Sequence, residues 1–298
     1  MAERLTTDEE AMTAEELHQS IPQAQDDLAR QRNAFTELMS PKKPKSKPGA
    51  SKSGRTSSHL RDAVDNTKFR DHRDGLLPYT TEPENFSRNR VLMYDDQWVL
   101  IRDLYPKAAL HLLLLPRDPN WSGTHPLKAL NDPVFLEETR KMVAEVLPLA
   151  AAELNRAVGK DSVQEKAREE AMEAVLKAAE EKGVDVDLST VPAGRDWQSE
   201  LLVGVHKGPS MNHMHIHIIS RDLLSASMKY ARHYNTFHTP FLVQLHEFPL
   251  AKDDYRWKSG TGLVEGNLVC WRCGKDFKRS FTKLREHLKE EFEEWRRL

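Results

Sequence analysis

Histidines alternate with apolar residues in the run His213-Met214-His215-Ile216-His217-Ile218-Ile219. A β-strand sends successive side chains to opposite faces. Read as a strand, the run lines one face with three imidazoles and buries Met214, Ile216 and Ile218 in the core behind. Two chemistries suit such a row. Imidazoles on a strand can hold zinc, with further ligands drawn from other strands. A neutral imidazole can instead attack phosphorus and form a phosphoramidate, which splits one hard displacement into two easier ones. The second chemistry needs a proton donor for the leaving group and donors for the nonbridging oxygens. The segment His206-Lys207-Gly208-Pro209-Ser210-Met211 lies just upstream. It offers another imidazole, a hydroxyl and backbone N–H groups on a tight turn.

A second constellation lies near the C-terminus. The chain has two cysteines, Cys270 and Cys273, in a C-x2-C knuckle, and thirteen residues separate Cys273 from His287. That spacing is close to a zinc finger whose helix carries the second pair of ligands. The usual second histidine is missing. Glu291 stands one helical turn after His287 and shares its face. Cys270, Cys273, His287 and Glu291 are therefore expected to hold one structural Zn2+. Between these ligands, Lys275, Lys278, Arg279, Lys283 and Arg285 outnumber the acids Asp276 and Glu286 and form a basic face suited to phosphates. Phe277 and Leu284 suit the finger's small core.

The elements that position these groups read as follows. Strand signals cover Val91–Tyr94, Trp98–Arg102, Leu110–Leu115, Leu201–Val205 and His213–Ile219, with Asp95-Asp96 as a hairpin turn. The apolar run Ala108 to Pro116, with His111 inside it, reads as a buried strand. Phe135 to Val158 has helical spacing, and residues 161–183 form a highly charged helical pattern ending at Gly183. The order strands, helix, strands predicts an α+β fold with a mostly antiparallel sheet. Residues 1–40 carry nine acidic and three basic side chains and few large apolar groups. The Pro-, Lys- and Ser-rich stretch 41–58 reads as a linker that cannot bury enough surface to order itself. Its basic run suits a nuclear import signal, a phosphate-binding arm or a plain solvated linker.

The 298 residues carry a net charge of −2, so any nucleic-acid surface must come from local clustering. Two cysteines so close together exclude a disulfide framework and suit a reducing compartment. No apolar stretch is long enough to cross a bilayer, and the acidic start is not a secretory signal.

The histidine run is similar to the histidine-triad pattern, His-φ-His-φ-His-φ-φ with φ apolar. Val205 to Asp222, Ile101 to Pro116, Arg232 to Phe237 and the finger together resemble the aprataxin family of DNA-adenylate hydrolases within that superfamily. The resemblance covers about residues 69–298. It implies a histidine-triad fold with His215 as the nucleophile that becomes adenylylated. His213 and His217 would orient it and hold the phosphate, and His206 would protonate the leaving 5′-phosphate. Ser210, Lys107 and Met211 would meet substrate, and Asp103 would accept the ribose hydroxyls. Phe69 would stack on a DNA end beside Arg70, or else pack in the core. Lys229, His233, Lys278 and Arg279 would meet DNA.

The implied function is removal of AMP from 5′-adenylated DNA ends or nicks by a nuclear monomer, with no catalytic metal and no membrane. Two alternatives are a small-molecule hydrolase of dinucleoside polyphosphates or phosphoramidates, and a non-catalytic finger protein. The expected domains are a tail over 1–67, a catalytic domain over 68–245 with a helical insertion near 151–196, and the finger over 246–298. No forkhead-associated domain is expected in residues 1–67.

Overall fold

The computed structural model describes residues 72–183, 185–260 and 262–298. Phe69, Arg70, the acidic tail and the basic linker lie outside the described residues. A six-stranded sheet organises the rest, with β1 Val91–Tyr94, β2 Trp98–Arg102, β3 His111–Pro116, β4 Leu201–His206, β5 Ile216–Ser220 and β6 Leu242–Gln244. Every pairing is antiparallel and the spatial order is β1-β2-β3-β5-β4-β6. Asp95 makes the first hairpin by accepting the Gln97 and Trp98 N–H groups, each at 2.7 Å.

Two corrections to the sequence reading concern strands. The last long strand begins at Ile216, so His213 and His215 lie on the extended approach to it rather than in the ladder. The reason is the loop: Met214 N–H turns to the Ser122 carbonyl, and Asn212 N–H to that of Arg73. Strand β6 falls in a segment read only as a matching block and its continuation. Its three residues are too short for a periodic signal.

The four longest helices among the described residues are α1 Pro133–Val158, α2 Val163–Lys182, α3 Ala231–His238 and α4 Phe281–Trp295. Helix α1 starts at Pro133, where Asp132 accepts the Val134 and Phe135 N–H groups. Its apolar stripe, Phe135, Met142, Val143, Val146, Ala150 and Leu154, packs on Leu100, Leu112, Leu114, Ile216 and Ile218 of one sheet face. Helix α2 buries only Ala179 and ends on Gly183 at φ 59°, a left-handed cap. The opposite sheet face carries two separate apolar clusters. One joins Val99, Ile101, Leu113 and Leu115 to Leu76 and Tyr79. The other joins Ile219 and Leu242 to Tyr234 and Phe237 of α3 and to Leu268, Leu284 and Leu288 of the finger. Residues 71–298 form one compact unit, and Trp295 at the end of α4 enters the core under α1. No helix among the described residues is long and apolar enough to cross a membrane.

Gly204 of β4 lies between His217 of β5 and Gln244 of β6 in the ladder. A Cβ there would stand 2.4 Å from the Val243 carbonyl oxygen. Gly204→Ala is therefore expected to lower unfolding free energy by about 1–3 kcal/mol, as overpacking does. Chemical denaturation with an unchanged midpoint would contradict this close approach.

Candidate active site and metal centre

The gap between the two clusters on the second sheet face is filled by imidazoles. Strand parity puts them there: His111 alternates with Leu112, His217 with Ile216 and Ile218, and His206 with Val205. In register, His111 pairs with Ile219 and Leu113 with His217, so His111 and His217 are diagonal neighbours. Gly204 opposite His217 makes His206 its other diagonal neighbour. Ring centroids confirm the cluster: His217 is 5.2 Å from His111, 4.3 Å from His206 and 4.8 Å from His215. Phe237 of α3 meets His111, His206 and His217 edge-on or tilted.

Hydrogen bonds assign the ring nitrogens. His215 Nδ1 lies 2.7 Å from the His213 carbonyl oxygen, so it carries the proton and donates. That leaves the lone pair of His215 on Nε2. Lys107 N–H donates to His111 Nδ1 at 3.2 Å, so His111 Nε2–H donates to His217 Nδ1 at 2.9 Å. His217 Nε2 then bears a hydrogen, and it is buried without a hydrogen-bond partner among the described residues. The buried Nε2 of His206 likewise has no hydrogen-bond partner among the described residues. Three Nε2 atoms therefore belong to one cluster: a lone pair on His215, a donor on His217, and the unpartnered Nε2 of His206.

Burial keeps these rings neutral. It lowers His215 below the usual 6.5, and it lowers His206 and His217 well below, helped by repulsion from neighbouring imidazoles and Lys107. His111 is pushed down to about 4, mainly by burial. Burial works against ionisation of Asp103 too, yet its carboxyl stays below the normal range. With His111 neutral, the Lys107 cation and the Tyr105 N–H, donated to Asp103 at 2.7 Å, sustain that charge.

The loop between β4 and β5 is held from several sides. Arg73 donates to the Ser210 and Pro209 carbonyls, at 3.0 and 3.4 Å. Asn212 donates to Asp74 at 2.8 Å, and Lys207 Nζ caps the carbonyls of Lys258 and Gly260. Ser210 is exposed at the rim, and Met211 packs beside the cluster that holds Leu76 and Tyr79. His213 stands beside Asp74 and makes no ring contact with the four clustered histidines. Lys107 projects its charge onto Asp103 and onto His111, His206, His217 and His233. His233 is driven to about 4 by burial first and then by Lys107. Lys229 and Arg279 are exposed, and Lys278 is exposed but paired with Asp276 at 2.9 Å.

At the finger, ligand atoms of Cys270, Cys273, His287 and Glu291 lie within 4.8 Å of one another. His287 Nε2 is 3.1 Å from Cys273 Sγ and 3.0 Å from Glu291 Oε1. Zinc bonds of about 2.0–2.3 Å give tetrahedral edges of roughly 3.3–3.7 Å, so a small outward relaxation seats an ion. Arg272 holds the other oxygen of Glu291 at 2.6 Å, the orienting partner that a ligating carboxylate requires. Glu290 is on the solvent side, with its side chain 82% exposed. The four donors suit a zinc site, supplied by the knuckle and by one face of α4.

Known proteins carry the same two parts. A HIT-domain family model matches residues 85–224, and the C2HE / C2H2 / C2HC zinc-binding finger model matches residues 238–294. The aprataxin-like protein of Schizosaccharomyces pombe is 33% identical over 226 residues, 75% of this chain and 82% of that one. The chain belongs to the aprataxin-like family. The aprataxin-like protein of Saccharomyces cerevisiae is 31% identical over 223 residues, 74% of this chain and 95% of that one. A crystal structure of an aprataxin ortholog in complex with DNA is 32% identical, with a TM-score of 0.59, covering 76% of this chain and 96% of that chain. As an aprataxin-type protein, the chain is a histidine-triad hydrolase of the DNA-repair class with a zinc-finger region.

Two features of this aprataxin-type site escaped the sequence reading. His111 was placed in a matching block without a role, although its parity with Leu113 and Leu115 puts it on the histidine face. Phe237 walls the histidines from a segment whose helix, α3, is only eight residues long. The metal centre leads to a graded expectation. Arg272→Ala should weaken zinc binding about 10–100-fold, the usual effect of removing an orienting partner, and Glu291→Ala should weaken it further. Competition with a metallochromic chelator measures both; equal affinity for Glu291→Ala and the parent would exclude Glu291 as a ligand.

Proposed function

We propose that the protein removes AMP from 5′-adenylated DNA through a covalent adenylyl-His215, restoring a 5′-phosphate. The observation that carries this reading is the 2.7 Å bond from His215 Nδ1–H to the His213 carbonyl, which leaves Nε2 as a neutral nucleophile. In the first step, Nε2 of His215 forms a bond to the adenylate phosphorus, and the bridging P–O bond to the DNA phosphate breaks. The His213 carbonyl stabilises the positive charge that grows on the ring. His217 Nε2–H meets the nonbridging oxygens, and Lys107 adds a cation. In the second step, water adds to phosphorus, the P–N bond breaks and AMP leaves.

His206 is the proposed acid. Its Nε2 is unpartnered among the described residues, and bound phosphates favour protonation of the ring because opposite charge raises a histidine pKa. Asp103 is proposed for the ribose hydroxyls, and Ser210 and Met211 for the pocket rim. His213 contributes through its carbonyl and through its ring beside Asp74. The zinc, one ion, is proposed as structural, because two thiolates, an imidazole and a carboxylate complete a tetrahedron.

DNA as substrate is supported by the ortholog's DNA complex and by the exposed Lys275, Arg279 and Lys283 of the finger. Phe69 and Arg70, outside the described residues, are proposed at the DNA end, with Lys229 and His233 near the phosphates. A nuclear monomer follows as the working state. A gel assay of 5′-adenylated nicked DNA against diadenosine polyphosphate tests the substrate class. Higher efficiency on the DNA is expected, and His215→Ala should abolish turnover while DNA binding persists. Higher efficiency on the small molecule would replace this reading with that of a nucleotide hydrolase.

The pH profile tests the nucleophile's state. Because burial lowers the His215 pKa, the ring stays neutral below pH 6.5, and activity is lost only as pH falls through the lowered value. The acid limb of kcat/KM should therefore centre below 6.5. A limb centred above 6.5 would contradict a desolvated nucleophile.

A further inference from the structure

The helical insertion has no part in the chemistry above, yet its base is built around a buried cation. Arg195, in the strap between α2 and β4, has a side chain only 4% exposed. Its guanidinium packs against two mutually perpendicular indoles, 4.4 Å from the Trp197 ring centroid and 4.9 Å from that of Trp295. Nη2 is 2.6 Å from Glu200 Oε1, and Nη1 donates to the Trp295 carbonyl at 2.7 Å. The other Glu200 oxygen accepts the Trp295 indole N–H at 2.8 Å. Glu165 of α2 accepts both the Arg195 backbone N–H, at 3.0 Å, and the Trp197 indole N–H, at 2.8 Å. Two further ties join the same ends. Val163 N–H donates to the Arg297 carbonyl at 2.9 Å, and Arg296 pairs with Asp161 at 3.2 Å.

Trp295 and the ligand Glu291 are one turn apart on the buried face of α4. Whatever fixes Trp295 therefore fixes the helix that carries His287, Glu291 and the basic end of the finger. Lys283 lies twelve residues, about 18 Å, along α4 from Trp295, so a tilt of about 10° at Trp295 moves it by about 3 Å. Glu200 immediately precedes β4, the strand that ends in His206. One planar cation thus connects the insertion, the histidine-bearing sheet and the finger helix. Lysine cannot replace it, because a point charge lacks the rigid fork that reaches Glu200 and the Trp295 carbonyl at once.

We infer that the insertion is a brace for the finger helix, with Arg195 as the positioning residue that sets the basic face of the finger relative to His215. The inference rests on the DNA reading above. Arg195→Lys should raise KM for adenylated nicked DNA about tenfold, as small misplacements do, with kcat little changed. Turnover of a small adenylyl phosphoramidate and the zinc content should match the parent, while hydrogen exchange over residues 281–295 quickens. If that variant fails to fold, the charge-neutral double variant Arg195→Met with Glu200→Met takes its place. Unchanged KM with unchanged exchange would overturn the brace, as would equal loss on both substrates. If the parent itself cleaves the phosphoramidate but not adenylated DNA, the DNA reading fails, and exchange in α4 alone decides whether the brace exists.

Discussion

One backbone carbonyl decides what the histidine cluster can do. The His213 oxygen takes the Nδ1 hydrogen of His215 and leaves the lone pair on Nε2. That bond exists only because His213 and His215 precede the strand instead of sharing its ladder. Within β5, backbone carbonyls are committed to β3 and β4. The loop is free to turn a carbonyl inward, and it is held rigid by Arg73, Asn212, Lys207 and the Ser122 carbonyl. Rigidity there comes from contacts outside the sheet, so the placement of His215 depends on elements far from it in sequence.

The remaining rings follow from parity and burial. His111, His206 and His217 face one way on adjacent strands, and the hydrogen-bond chain from Lys107 through His111 leaves a hydrogen on His217 Nε2. Burying this many imidazoles would be costly if they were charged. Burial and the nearby Lys107 cation together keep them neutral, as the downward shifts of His206 and His217 record. An anionic substrate supplies the charge and the hydrogen-bond acceptors that this face lacks at rest. Under the proposed function the site is arranged for what it binds, and the finger with the Arg195 cluster would set the angle of approach.

Much of this was legible in the residues themselves. The alternation of His213 to Ile219, the knuckle at Cys270 and the helical spacing of Glu291 after His287 each name a chemistry, and their ligand or ring atoms are brought together in space. The long helix and four of the six strands read close to their observed bounds, since each carries a periodic apolar pattern. Other features carry no such pattern. Strand β6 is too short, the start of β5 is set by hydrogen bonds from remote loops, and His111 lies inside an apolar run that masks its facing. The Arg195 cluster joins residues a hundred positions apart, and no local spacing announces a contact of that range.

The central claim is that His215 becomes covalently bonded to the adenylate. Rapid-quench intact-mass analysis of the protein with 5′-adenylated nicked DNA, followed by peptide mapping, tests it most directly. The account predicts a transient adduct of one AMP, on the peptide containing His215 and absent in His215→Ala. Single-turnover release of AMP with no adduct at any quench time, or an adduct on another residue, would contradict it.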